Sequence, residues 1–576
     1  MPQIGEERMV WMATRSSVPS GPTRPPLLSP RDLSGCEHRL ALDSRFPGSE
    51  KVAEDPAVTL RKEAAAEHRE RVRDMLHAVH SIELSGWADV GSGGSSRQRA
   101  ERTMAAIGSG ARWIWGASLP DDEAGGRRGW AELLIRMDDP QRTSGYLPVI
   151  VVNHKASDPG SGAVTSPVWS WQPMLDETRK VRGNSRDTVR LAQLYRMLEA
   201  LGVAGVDPGT GKPVGAVIGL DTDCMVVLDL TDTLVRYDAL LERRAGIAAG
   251  RISTAPSRIG ECRNCAWWSK CGPELHEARD VSLVVNGNLT QLLATVGVRT
   301  VDELAAYDGP VPDGWPGNSL ADSILLARAW LAQVTLIRRM PEVQVARADV
   351  EVDVDMESYQ DDGAYLWGTL LTDNTDPARD VRYRPFVTWQ PLPTQDEARS
   401  FAEFWQWLID ERDEALSEGK TFAAYCYSQQ AENRWLLGSA DRFAGSPGVP
   451  SRETVQEFIN SSHWVDIYEA VSVNFLSPEG KGLKKVAPHA GFHWRDDEAG
   501  GEASMQWYRR AVGRDGEEVD QTQRVRLLEY NEDDVRATKA LREWMTTTAA
   551  QQVPLGSDLP VPAVAPGHDG VPTPRI

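Results

Sequence analysis

The sequence predicts an α/β protein of about three domains. Strand-like runs of apolar residues recur between amphipathic, helix-like stretches along most of the chain. The length of 576 residues exceeds what one hydrophobic core supports, because chains beyond about 250–300 residues divide into domains. Hydrophobic residues make up 41% and charged residues 25% of the chain, which is close to the globular average and excludes a wholly disordered protein.

The net charge of −20 argues against a protein that binds polyanions non-specifically over its whole surface. An acidic chain is compatible with sites in which carboxylates hold metal cations. No run approaches the roughly 18 apolar residues that a membrane-spanning helix needs, and the first residues lack the apolar core of a signal peptide. We therefore expect a cytoplasmic protein without membrane contact.

The elements form three blocks between proline- and glycine-rich ends, which predict disordered tails. The first block combines helix-like stretches with strand-like runs and predicts an α/β domain. The second is apolar at helical spacing and predicts a small linker of short helices, similar to a helix-hairpin-helix module. The third has three strands, a helix, a strand and a closing helix, and predicts a mixed α/β domain. The predicted segments are 1–27 (tail), 28–275, 276–341, 342–549 and 550–576 (tail).

The cysteines indicate a metal centre rather than a disulfide framework. The chain has six cysteines, too few and too unevenly spaced for a set of disulfides. Cys262, Cys265 and Cys271 form a C-x2-C-x5-C run whose thiolates can face one metal centre. Cys36 is the candidate fourth ligand, because Cys224 lies within an apolar strand. The spacing alone leaves zinc and an iron–sulfur cluster open.

Residues 28–275 have one cysteine near their start and three near their end. In this arrangement they resemble the iron–sulfur members of the RecB-like nuclease family. The resemblance implies a restriction-endonuclease-like, PD-(D/E)xK fold. It also implies a 4Fe–4S cluster bound by Cys36, Cys262, Cys265 and Cys271.

The metal-binding motifs of that family are only partly matched here. The family uses a helical His, a G-x-x-D strand, a (D/E)-x-K strand and a Q-x-x-x-Y helix. The corresponding residues of this chain are His68, Glu132, Asn153 with Lys155, and Arg190 with Leu194. Asn153 carries no charge to balance a metal ion and Leu194 has no polar group. We expect a degraded site that binds DNA or supports the neighbouring domain.

A better set of carboxylates lies in the third block. Asp355 and Glu357 are two residues apart in an alternating strand and therefore share one face, where a cation would relieve their repulsion. Tyr530 and Asp534 are one helical turn apart on the closing helix. Glu432 and Asp466 are further acids between these two pairs.

This D-x-E and Y-x-x-x-D series resembles the DnaQ-like (DEDD) 3′→5′ exonucleases of the ribonuclease-H-like superfamily, and among them the YprB-like branch that follows RecB-like domains. The resemblance implies a catalytic set of Asp355, Glu357, Glu432, Asp534 and Tyr530. In it, Asp355, Glu357 and Asp534 bind Mg²⁺ or Mn²⁺, and Tyr530 orients the attacking water. Glu432 stands where the family has Asp, so Asp466 is the competing fourth acid.

The two resemblances together predict a metal-dependent nuclease, a 3′→5′ exonuclease through its C-terminal domain, with DNA bound by the degraded RecB-like domain. They imply DNA rather than RNA as the nucleic acid, and a helicase or DNA-repair protein as a partner. Lys481, Lys484 and Lys485 could contact a phosphate backbone, although such clusters are also common on solvated surfaces. The alternative is a non-catalytic nucleic-acid-binding or scaffold protein in which both nuclease sites have decayed.

Overall fold

The chain forms two compact units, residues 1–272 and 273–576. The computed structural model describes residues 25–47, 56–81, 86–138, 144–285, 287–317, 319–376, 378, 381–498, 500–516 and 518–562. Most of the predicted N-terminal tail, residues 1–24, and the last part of the predicted C-terminal tail, residues 563–576, lie outside the described residues.

The N-terminal unit is built on an eight-stranded mixed sheet in the order β1-β2-β3-β4-β9-β10-β6-β7. The strands are β1 (Trp87–Asp89), β2 (Trp113–Ser118), β3 (Trp130–Met137), β4 (Gly145–Val151), β5 (Ser157–Pro159), β6 (Ala163–Ser166), β7 (Met174–Asp176), β8 (Arg179–Val181), β9 (Val214–Ile218) and β10 (Met225–Asp229). Strands β5 and β8 form a separate antiparallel pair. Every residue of β4 and β9 is buried, as expected for apolar runs at the centre of a sheet.

Helices accompany this sheet, and the last of them crosses the boundary between the two units. They are α1 (Glu37–Arg45), α2 (Pro56–His80), α3 (Ser96–Gly108), α4 (Ser185–Ala200), α5 (Thr231–Ala248) and α6 (Trp268–Glu277). Ser95 and Gln98 form a capping box that begins α3, and the side chain of Asn184 caps α4. Helix α4 packs against β4 and β9. Its Leu194 is fully buried there, so this position serves the core.

The C-terminal unit contains a five-stranded sheet in the order β14-β13-β12-β15-β16. Its strands are β11 (Ile337–Arg338), β12 (Val350–Tyr359), β13 (Gly363–Asp373), β14 (Tyr383–Val387), β15 (Phe422–Cys426), β16 (Trp464–Asp466) and β17 (Phe475–Leu476), of which β11 and β17 pair separately. Strand β13 is antiparallel to both neighbours, whereas β12, β15 and β16 run parallel.

The helices of this unit combine with the sheet in a mixed α/β arrangement. They are α7 (Asn288–Thr295), α8 (Val301–Ala305), α9 (Leu320–Leu331), α10 (Asp396–Ser417), α11 (Gln430–Arg442), α12 (Arg452–Ile459), α13 (Ile467–Asn474), α14 (Leu483–Val486), α15 (Gly501–Ala511), α16 (Gln521–Thr547) and α17 (Ala549–Gln552). The long helix α16 packs against β12 and β13, and α10 packs against β13 and β14.

The predicted C-terminal tail begins too early. Helix α17 continues to Gln552, Val553 is buried, and the backbone N–H of Arg338 donates to the carbonyl of Pro554 at 2.8 Å. The ordered chain therefore extends beyond residue 550, because these contacts tie it to β11.

Candidate metal centre

Strand β12 presents a row of four carboxylates on one face, because successive side chains alternate between the two faces of a strand. The row is Glu351, Asp353, Asp355 and Glu357. Helix α16 packs against this strand and presents a cation, Arg542, to one end of the row.

Arg542 neutralises the first two carboxylates of the row. Its guanidinium is fully buried and donates to Asp353 Oδ2 at 3.0 Å and to Glu351 Oε2 at 3.2 Å. Burial opposes ionisation of Glu351, but hydrogen bonds from Arg347 and the charge of Arg542 lower its pKa to about 2. Burial raises the pKa of Asp353, and the charge of Arg542 opposes this effect. These groups form a structural ion network.

The next two carboxylates meet an acid of α16 instead of a base. One oxygen from each of Asp355, Glu357 and Asp534 lies within 4.8 Å of the others. Within the part of the chain that the structure describes, this is the one group of three or more histidine, cysteine or carboxylate side chains with ligand atoms this close. Burial and mutual repulsion raise the pKa of Glu357 to about 8 and that of Asp355, and burial raises the pKa of Asp534 to about 6. A bound cation would remove this repulsion.

Asn531 fixes the orientation of Asp355. Its amide nitrogen donates to Asp355 Oδ2 at 2.7 Å, and its amide oxygen accepts from the hydroxyl of Tyr383 at 2.7 Å. Gly368 lies opposite Asp355 on β13, where a Cβ atom would come within 1.6 Å of the Asn531 oxygen. The glycine therefore makes room for the amide, which holds one Asp355 oxygen and leaves the other available.

Lys484 and Trp494 complete the surroundings of the three carboxylates. The Lys484 ammonium donates to the Tyr530 hydroxyl at 3.2 Å and lies 5.6 Å from the ring centroid of Trp494. The Trp494 indole donates to Asp534 Oδ1 at 2.7 Å. Of the predicted lysine cluster, Lys484 reaches the site, whereas Lys485 is exposed and lies 3.8 Å from Glu479.

Glu432 is better placed than Asp466 to be the fourth acid. It lies in the first turn of α11, is buried, and its Oε2 has no hydrogen-bond partner among the described residues. Burial raises the pKa of Glu432 to about 8, and its charge contributes to the raised pKa of Asp355, after burial and the nearer carboxylates. Asp466 instead caps α13. Its oxygens accept from the backbone N–H groups of Ser428, Gln429 and Tyr468.

The predicted RecB-like residues of the N-terminal unit are arranged differently. Glu132 is buried on β3 and accepts hydrogen bonds from the guanidinium of Arg190 at 2.9 and 3.0 Å. Lys155 lies 3.7 Å from Asp221 instead. His68 is buried on α2, and burial lowers its pKa, which favours the neutral ring. Asn153 follows β4 and adds no charge. The positive charge beside Glu132 thus comes from Arg190.

The segments that carry the predicted cluster ligands pack together. The indole of Trp267 donates to Asp43 Oδ1 at 3.0 Å, and His38 Nδ1 is hydrogen-bonded to Thr254 Oγ1 at 2.9 Å. These contacts bring α1, which follows Cys36, beside the segment that holds the other three cysteines.

Among the described residues, no disulfide joins these four cysteines. Burial raises the pKa of the Cys262 thiol, and the charges of Cys36 and Cys265 add to this effect. No three cysteine sulfur atoms of the described residues lie within 4.8 Å of one another. Three thiolates on one zinc ion would be about 3.8 Å apart, because each Zn–S bond is about 2.3 Å long and the angles are tetrahedral.

Comparisons with known proteins bear on the C-terminal unit. No curated protein matches the chain. Among the residues that the structure describes, no helix has both the length and the apolar character needed to cross a membrane. A family model described as RNase_H superfamily matches residues 441–546, which include Tyr530 and Asp534. Such a domain suggests a nuclease-type function and a nucleic-acid substrate. The C-terminal unit therefore contains an RNase H-like domain.

Proposed function

We propose that the C-terminal unit hydrolyses phosphodiester bonds with divalent cations held by Asp355, Glu357 and Asp534. The observation that carries this proposal is the contrast along β12. Arg542 forms ion pairs with Glu351 and Asp353, whereas among the described residues Asp355 and Glu357 form no ion pair, and Lys484 is hydrogen-bonded to Tyr530. An all-oxygen set of ligands suits Mg²⁺ or Mn²⁺ rather than a soft metal.

A bound divalent cation would supply charge stabilisation of the phosphate and a lowered pKa of water. The protein's own contribution is to hold the reacting groups. Asn531 orients Asp355, and Lys484 holds the hydroxyl of Tyr530, which is available to position a water molecule. The free Oε2 of Glu432 provides a fourth acidic oxygen. The resemblance to DnaQ-like enzymes supports attack from the 3′ end, and thus a 3′→5′ exonuclease.

We further propose that the N-terminal unit is a RecB-like domain that binds DNA without cutting it. The ion pair between Arg190 and Glu132 supports this, because a carboxylate that is already neutralised by a guanidinium is a poor metal ligand. A bound 4Fe–4S cluster is supported by the packing of the Cys36 segment against the other cysteines.

Digestion of end-labelled single- and double-stranded DNA and RNA tests the proposed hydrolysis. Wild-type protein should degrade at least one substrate with Mg²⁺ or Mn²⁺ and lose this activity in EDTA. Asp355→Ala or Asp534→Ala should each lower the rate at least about 100-fold, the scale of one lost electrostatic stabiliser. Lys155→Ala in the N-terminal unit is the matched control and should retain most of the activity.

An Asp355→Ala/Asp534→Ala double variant as active as wild type would show that this unit is not the nuclease. Loss of activity in Lys155→Ala but not in Asp355→Ala would assign hydrolysis to the N-terminal unit. Binding without hydrolysis by wild-type protein would favour the scaffold alternative.

A further inference from the structure

A large cleft opens in the N-terminal unit beside Glu132. It encloses about 1580 Å³ and is lined by α2, α3, β2, β3 and the Arg190 side chain of α4. Small-molecule pockets are about 300–1,000 Å³. The volume therefore suits a segment of a polymer better than a metabolite.

The cleft is rich in arginine. Seven arginines and six carboxylates line it, so the net charge of the cleft lining is slightly positive, although the net charge of the chain is −20. Several of the carboxylates pair with lining arginines, and these ion pairs hold guanidinium groups at the cleft wall. Arginine is well suited to phosphate oxygens, because its planar fork donates two parallel hydrogen bonds.

Trp130 is the unusual residue of this cleft. It is the first residue of β3 and is 47% exposed, whereas the next five residues of the strand are buried. The guanidinium carbons of Arg190 and Arg69 lie 4.9 and 5.9 Å from its ring centroid. A half-exposed indole flanked by two cations is the arrangement with which proteins stack unpaired bases and hold the adjoining phosphates.

Arg190 links this surface to the neutralised carboxylate. One of its nitrogens donates to both Glu132 oxygens and, at 3.2 Å, to the carbonyl of Trp130. The guanidinium thus holds the aromatic residue and supplies Glu132 with positive charge without a metal ion.

We propose that the cleft binds a single-stranded segment of nucleic acid independently of metal, with a base stacked on Trp130 and phosphates bound by Arg69 and Arg190. Single strands are favoured over duplex because a base can stack on a side chain only when it is unpaired from its neighbours. This inference rests on the proposal that the N-terminal unit binds DNA and deepens it, and it does not involve the metal centre of the C-terminal unit.

The test uses the full chain carrying Asp355→Ala and Asp534→Ala, so that the C-terminal unit cannot degrade the probe. Fluorescence anisotropy of a fluorescein-labelled oligothymidine is measured in EDTA. Adding Trp130→Ala should weaken binding at least about fivefold, the scale of one lost stacking contact. Trp130→Phe, which keeps an aromatic ring, should restore part of the affinity. Arg69→Ala should weaken binding and reduce its salt dependence by about one released counterion.

The matched control is Trp169→Ala, which removes a tryptophan of similar exposure, 52%, from the same unit outside the cleft lining. It should leave the affinity unchanged. Equal affinities for the Trp130 and Trp169 variants would overturn the inference, as would binding that disappears in EDTA. Tighter binding of a duplex or of polyglutamate than of the single strand would also overturn it. The wild-type digestion assay judges the proposed function separately, since hydrolysis there does not depend on the outcome at Trp130.

Discussion

Replacing Asp355 by Asn should stabilise the metal-free protein, although it removes a residue of the candidate metal centre. Its oxygen lies within 4.8 Å of an oxygen of Glu357 and one of Asp534. Two unit charges at that distance repel by about 3 kcal/mol at an effective dielectric constant of about 20. Asn keeps the oxygen that accepts from Asn531. We therefore expect the free energy of unfolding to rise by about 1–3 kcal/mol at pH 8, where Asp534 is mainly ionised.

Asp353→Asn is the matched control on the same face of β12, and its effect should have the opposite sign. It leaves the fully buried Arg542 with Glu351 as its acidic partner, and breaking a buried ion pair costs about 3–5 kcal/mol. Urea unfolding followed by tryptophan fluorescence, in EDTA, measures both variants. If Asp355→Asn lowers the unfolding midpoint as Asp353→Asn does, repulsion among the three carboxylates does not destabilise the metal-free protein.

Three further predictions concern pH, metal affinity and the cysteines. Because the pKa of Glu357 is about 8 in the folded protein and about 4.3 in an unfolded chain, the folded state retains more protons between these values. The metal-free stability should therefore fall as pH rises from about 5 to 8, and saturating Mg²⁺ should remove this loss; a flat profile in EDTA would contradict it. Asn531→Ala should weaken Mn²⁺ binding in a calorimetric titration about tenfold, the lower end of effects for residues that orient ligands, while Asn460→Ala on the surface should not. Protein purified without oxygen should contain iron and acid-labile sulfide, and Cys36→Ser should lose both and melt at lower temperature, whereas stoichiometric zinc would overturn the cluster assignment.

The local patterns of the metal centre could be predicted from the sequence. The period of two in β12 places Asp355 and Glu357 on one face, and the spacing of four in α16 places Tyr530 beside Asp534. Whether the two pairs meet depends on how α16 packs against the sheet, which no local pattern specifies. Metal binding by each of these acids remains a prediction.

Residues that support the site were missed because their contacts span long stretches of sequence. Trp494 reaches Asp534 from a loop, and Asn531 reaches Asp355 across more than 170 residues. Asn531 lies within the Tyr-Asn-Glu-Asp-Asp sequence, but its amide is uncharged, so the pattern of carboxylates does not include it. The sequence does not single out Arg542, because its burial against Asp353 is what distinguishes it from the other arginines of a charged helix.

In the N-terminal unit the sequence indicated a weakened site without explaining it. The substitution of Arg190 for the expected Gln was visible, but its ion pair with Glu132 follows from the packing of α4 beside β3. The early tail boundary has a similar cause. Proline and glycine content predicts disorder, yet a single buried residue such as Val553 can hold the chain in place.

Anomalous diffraction from crystals grown with Mn²⁺ locates the metal ions that the protein binds. We expect a manganese peak in contact with carboxylate oxygens of Asp355, Glu357 and Asp534, and no peak beside Glu132, where Arg190 supplies the positive charge. Crystals of the Asp355→Ala variant should lose the peak. A manganese ion bound at Glu132, or none at the three carboxylates under saturating Mn²⁺, would contradict the assignment of the metal centre to the C-terminal unit.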